Sequence, residues 1–163
     1  MKEELTLIFM RHGEKVMLDD EAEDMLTRDG YEQVQSTAEK LKQMGLVPDI
    51  ILMGNSNRTQ ESAQGADEVL RAHYHPKSLQ SLSVGSRGKF IEEGVKEIPH
   101  DAKTVLCISH DEVTQSQFAA LANYKIEYAD ALVLKFNVKS FAELNYESVP
   151  NSPIIRVSPA LAA

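Results

Sequence analysis

Short apolar runs and amphipathic stretches alternate along this chain. Leu5–Met10 (LTLIFM) is a continuous apolar run of strand length, and runs of that kind mark strands covered on both faces. Over Asp29–Met44 the period changes. Val34, Thr37, Ala38 and Leu41 recur at spacings of three and four, which predicts a helix stopped by Gly45 and Pro48. Asp49–Met53 (DIILM) reads as a second strand. Asn57–Tyr74 reads as a second helix, with Ala63, Ala66, Val69 and Leu70 on one face. A short third strand is expected near Ser78–Leu82 and a helix over Phe90–Ile98. Thr104–Ser109 (TVLCIS) is another buried strand, Val113–Ala122 a helix, and Asp130–Val138 (DALVLKFNV) alternates like a strand with one wetter face. The tail, about 148–163, holds three prolines and reads as irregular.

Short apolar strands separated by helices predict an α/β protein: a three-layer α/β/α sandwich around a mostly parallel central sheet. At 163 residues the chain fits one domain, 1–163, with its core over about 5–138. In such sheets ligands bind outside the carboxyl ends of the strands, so polar clusters directly after strands are candidates for a site.

Composition narrows the function. With 25 acidic against 17 basic residues the formal charge is -8, and a field of that sign repels nucleic acid and anionic membranes. No nucleic-acid or membrane partner is expected, and an anion site must be a local concentration of Arg and His. Cys107 is the one cysteine, so no intrachain disulfide forms, and its place inside an apolar run makes it a small buried hydrophobe. The N-terminal apolar run is too short for a signal peptide or a membrane span, and the expected location is the cytoplasm.

Three strand ends carry unusual chemistry. Arg11-His12-Gly13-Glu14 follows the first strand. GNSNRTQES, with Arg58 at a helix start, follows the second. His110-Asp111 follows TVLCIS. In a parallel sheet these segments converge. Arg presents bidentate forks to phosphate oxygens, and N–H groups at a helix start add donors. Two histidines suggest more than binding. One imidazole can attack phosphorus while the other, protonated, holds the equatorial oxygens, and Gly13 allows the backbone to come close to a phosphate.

RHGE after an N-terminal strand, LTRDG with Gln33 three residues on, NRTQESA, and ISH after a later strand occur in that order. Together they resemble the histidine phosphatase superfamily, whose fold is phosphoglycerate-mutase-like. The size and the absence of a large inserted cap resemble its small SixA-type phosphohistidine phosphatases. The resemblance covers about Leu5 to Ala122. It implies His12 as the nucleophile that becomes phosphorylated and Arg11, Arg58 and His110 as phosphate ligands, with no metal and no organic cofactor. It also implies a phosphorylated partner: a protein carrying phosphohistidine, or a small phosphorylated metabolite.

Two departures accompany it. Ser-Pro often precedes the second arginine in the family; here Gly54-Asn55 stands there, with Asn55 or Ser56 as replacement phosphate contacts. Many members carry a general-acid Glu after the third strand, whereas SLQSLSVGSRG has no acid and Ser81 takes that place. Asp111 and Glu14 are the alternative proton donors. Asp111 is equally a first-turn acid of the helix that follows, and a phosphohistidine, with its activated P–N bond, needs no strong acid. The expected function is a metal-independent phosphatase working through a phosphohistidine intermediate, most simply on phosphohistidine in a phosphoprotein. The alternatives are a phosphomonoesterase for small metabolites and a catalytically weak phosphate-binding module.

Other features have simpler readings. His73-Tyr74-His75 is a solvated helix end, His100-Asp101 a turn, and GSRGKF, which lacks P-loop spacing, a mobile loop whose Arg87 and Lys89 lie at the rim. The acidic run Asp19–Asp24 reads as a solvated loop.

Overall fold

The computed structural model describes residues 2–16 and 24–160. In chain order its elements are β1 (Glu3–Arg11), β2 (Lys15–Val16), β3 (Met25–Leu26), α1 (Arg28–Gln43), β4 (Ile50–Met53), α2 (Asn57–Leu70), β5 (Lys77–Ser78), α3 (Lys89–Glu92), β6 (Thr104–Ser109), α4 (Asp111–Gln115), β7 (Ala131–Val138) and β8 (Ile155–Val157). The main sheet runs β5-β4-β6-β1-β7-β8. The first four are parallel, β7 is antiparallel to β1, and β8 is antiparallel to β7. Helices cover both faces, so the expected three-layer α/β/α sandwich is present.

The apolar run of β1 follows from this. Leu5, Leu7 and Phe9 enter one core, with Phe90, Phe118 and Phe136; Ile8 and Met10 enter the other, with Val34, Ala38, Leu41, Ala63 and Ala66 from α1 and α2. A strand buried on both sides has no polar face to alternate with. The stripe of α1 is the predicted one, and its N-terminus is capped by Thr27, whose hydroxyl accepts from Gly30 N–H at 2.9 Å.

Several boundaries differ from expectation. Helix α2 stops at Leu70 rather than Tyr74, because Arg71 turns left-handed (φ 50°) and Asp67 takes the N–H groups of Arg71 and Ala72. The strand expected near Ser78–Leu82 is only Lys77–Ser78, followed by a 3-10 turn. The helix expected over Phe90–Ile98 is α3 plus a separate 3-10 turn, Gly94–Glu97. That expected over Val113–Ala122 ends at Gln115. The amide of Gln117 donates to Val113 O and Arg87 O and accepts from Ile91 N–H, and extended Phe118 then packs on Phe9 and Phe136. The C-terminal tail is not wholly irregular. Ile155–Val157 forms the edge strand β8, anchored by Arg156 on the carboxylate of Asp130 at 2.8 Å.

The small β2-β3 ladder has no counterpart in the sequence reading. It flanks the acidic run, which apart from Asp24 lies outside the described residues. Asp24 is buried, not solvated, and pairs with Lys15 at 2.9 Å. Cys107 is fully buried, and burial pushes its thiol pKa up, as an inert core residue requires. Among the described residues no helix is long and apolar enough to cross a membrane, and no group of three His, Cys, Asp or Glu side chains is placed to hold a metal ion.

Candidate active site

Strand β1 carries Arg11 and His12 to its carboxyl end, where backbone bonds hold them from both sides. His12 N–H donates to Ser109 O on β6, Arg11 N–H to Asp130 O, and Ala129 N–H to His12 O, each at 3.1 Å. Arg58 arrives from the first turn of α2 and is 3 % exposed. His110 follows β6 directly, stands at the N-cap position of α4 without a side-chain capping bond, and is 5 % exposed. The imidazoles of His12 and His110 meet edge to face with centroids 5.2 Å apart. Four residues separated by up to a hundred positions therefore share one pocket at the ends of parallel strands.

The loop after His12 is fixed by backbone contact. A Cβ at Gly13 would lie 2.3 Å from Gly30 O, and one at Gly30 would lie 2.1 Å from Glu14 O. Both glycines are required because the loop sits directly on the start of α1, which gives Gly13 a packing role at that contact. Gly13 N–H donates to the hydroxyl of Ser62, which donates to Arg58 O, so loop and α2 are tied together. Gln33 accepts from Glu14 N–H. The LTRDG…Gln33 signature is thus the platform beneath the pocket.

The ionisation pattern suits nucleophilic chemistry. Burial, reinforced by Arg58, Arg11 and Lys15, lowers the pKa of His12 to about 4 despite its bond to the Gly13 carbonyl. His110 is lowered to about 3 by burial, by His12, by Arg58 and by Lys15, against a raising pull from Asp111. Both rings are neutral near pH 7. His12 Nδ1 lies 2.8 Å from Gly13 O, and a carbonyl only accepts, so Nδ1 carries the proton and Nε2 keeps its lone pair. His110 Nε2 is buried without a partner among the described residues. The second histidine was expected to be protonated. Without an anion it is neutral, and a phosphoryl dianion beside it would favour the protonated form.

The remaining candidate residues make the following contacts. Asn55 is exposed, and its amide donates to Gln80 at 2.7 Å. Ser56 caps α2 through Thr59 N–H. The Glu14 carboxylate accepts from the Thr27 hydroxyl, at the start of α1. Asp111 is half-buried in the first turn of α4, accepts from Glu112 N–H at 2.8 Å, and is near enough to act on His110. Ser81 lies against Gly94 and Ser86, and no acid occupies the segment that follows it.

Two parts of the pocket had no signal in the sequence. Lys15 adds positive potential felt by both histidines. The segment Ile126–Asp130 wraps Arg11. Its Nη1 donates to Ile126 O at 3.0 Å, and its guanidinium lies 4.3 Å from the centroid of the Tyr128 ring.

No family model matches the chain, and no curated protein does. Solved structures do. A SixA protein from Nakamurella multipartitia superposes with a TM-score of 0.73 at 18% identity, over 92% of this chain and 98% of that one. The protein histidine phosphatase SixA complexed with tungstate gives 0.75 at 16%, over 95% and 97%. A mycobacterial glucosyl-3-phosphoglycerate phosphatase gives 0.68 at 14%, over 91% and 98%. The fold is therefore that of the histidine phosphatases, phosphoglycerate-mutase-like, with the pocket at the carboxyl ends of β1, β4 and β6.

Proposed function

We propose that this chain is a phosphatase that works through a phosphohistidine intermediate on His12, and that its substrate class is a phosphoprotein carrying phosphohistidine. The observation that carries the reading is the pair of neutral imidazoles 5.2 Å apart, one with its Nε2 lone pair available, between Arg11 and buried Arg58. A site for holding phosphate alone has no use for a neutral, desolvated nucleophile. His12 Nε2 attacks phosphorus, the P–N bond breaks, and the leaving imidazole takes a proton from solvent. Arg11, Arg58 and His110 hold the equatorial oxygens as charge develops. Water then attacks phosphorus, returning His12 and releasing inorganic phosphate. The side chains present supply the positive charge the step needs, and the reading requires no metal or organic cofactor.

The absence of an acid after Ser81 favours the phosphoramidate, whose leaving group needs the least help. SixA among the structural neighbours agrees with that choice, and the sugar-phosphate phosphatase among them represents the second reading, a phosphomonoesterase for small metabolites. One observation favours the second: Asp111 lies beside His110, where an acid could serve an alkoxide leaving group.

The test is steady-state turnover with chelator present, on a phosphohistidine protein and on para-nitrophenyl phosphate in parallel, with His12→Ala as blank. The proposal expects turnover of the first well above the second, loss of both in His12→Ala, and acid-labile, base-stable phosphate trapped on the wild-type chain. Faster ester hydrolysis supports the metabolite enzyme. Affinity for phosphate with no turnover makes the chain a binding module, and undiminished turnover by His12→Ala sinks the mechanism.

A further inference from the structure

We propose that Tyr128 is a positioning residue for the phosphate pocket, fixing the one orientation in which the Arg11 guanidinium can serve an oxyanion. The inference rests on the phosphatase reading. Arg11 is restrained on two sides: one corner donates to Ile126 O, and its guanidinium carbon lies over the Tyr128 ring, 4.3 Å from the centroid. Its Nε is buried with no partner among the described residues, so that donor is left for a ligand. The same tyrosine ring stands 5.8 Å from His12, centroid to centroid, and so borders clamp and nucleophile at once.

Tyr128 is itself held rigidly. Glu127 and Asp130 exchange bonds: Asp130 N–H donates to Glu127 O, and Glu127 N–H to the Asp130 carboxylate, which also takes Arg156. Next to Tyr128, Ala129 has φ 60°, a left-handed conformation that is strained for a residue with a Cβ. Three bonds over-determine the strain: Ala129 N–H to His12 O, the Thr37 hydroxyl to Ala129 O at 2.7 Å, and Arg11 N–H to Asp130 O. Ala129 is also a buried core residue, so the strained, fully anchored turn serves the core while delivering one aromatic ring onto one arginine.

A merely structural tyrosine and a positioning one differ in how they couple to Arg11. The experiment is a double-mutant cycle of Tyr128→Ala and Arg11→Ala, read by calorimetric affinity for tungstate and by kcat/KM. Circular dichroism and thermal melting confirm that each variant is folded. Losing the stack should weaken tungstate binding and lower kcat/KM by roughly 5- to 30-fold. The same change should have little further effect in the Arg11→Ala background, and Tyr128→Phe, which keeps the ring face, should restore most of the loss. Wild-type affinity in Tyr128→Ala, or an equal loss with and without Arg11, overturns the inference while the phosphatase reading stands. A wild-type chain that binds no oxyanion overturns both.

Discussion

Two neutral histidines in one pocket make this protein's stability depend on pH in a way one substitution can isolate. The perturbation is His12→Gln, which keeps a polar side chain and removes the titration. In the unfolded chain His12 has its ordinary pKa of 6.5; in the fold it is about 4. Between those values the unfolded state takes a proton that the folded state refuses, so stability is full above pH 6.5 and is lost as pH falls toward 4. At about 1.4 kcal/mol per unit, that gap is worth roughly 3 kcal/mol for this residue. That is a large share of the roughly 5–15 kcal/mol available to a domain. The assay is urea unfolding in half-unit steps from about pH 7.5 to about 4.5. The stability difference between wild type and His12→Gln should be flat above pH 6.5 and change below it at up to about 1.4 kcal/mol per unit down to the lowest pH measured. His110, lowered to about 3 partly by His12, keeps a slope of the same sign in the variant. A difference that stays constant across the range would refute the claim that the folded pocket holds His12 uncharged. So would an imidazole titration near the ordinary value, followed by NMR.

Two further substitutions probe the pocket's floor and its proton supply. Gly30→Ala puts a methyl 2.1 Å from Glu14 O and 2.7 Å from Glu14 N, backbone atoms that cannot swing aside. It should cost about 1–3 kcal/mol in denaturant melts and, by displacing His12 by about 1 Å, lower turnover on the order of 100-fold; unchanged turnover would mean that the loop does not rely on this platform. Asp111→Asn should slow para-nitrophenyl phosphate at least about tenfold more than a phosphoramidate if Asp111 donates the proton, and equal slowing removes it from the mechanism.

What could be read in advance divides along physical lines. Strands β1 and β6 were legible because burial on both faces leaves an uninterrupted apolar run, and α1 because its stripe and the Thr27 cap are local signals. Arg11, His12, Arg58 and His110 could be grouped because each follows a strand or opens a helix in a parallel sheet. β8 was hidden because two of its three residues are exposed and prolines flank it. The lengths of α3 and α4 were overestimated because they end through Gly94 packing and the long-range bonds of Gln117, which local periodicity does not carry. The Tyr128 turn was invisible for a related reason: its partner is more than a hundred residues away, and its left-handed position is an alanine where glycine would have signalled it.

The placement of β1 has a consequence for how the chain is made. Thr6 lies between Thr104 on one side and Lys135 on the other, so this first-made strand has no neighbour near it in sequence. Synthesis at about 5–20 residues per second leaves LTLIFM with both edges unpaired for roughly 5–20 s before β6 is made, and with one edge still open until residues 131–138 exist. An apolar segment with open edges is a template for pairing with other chains. The central strand that carries the candidate nucleophile is therefore also the stretch most in need of shielding at the ribosome, and its pocket is completed only once the final third of the chain has emerged.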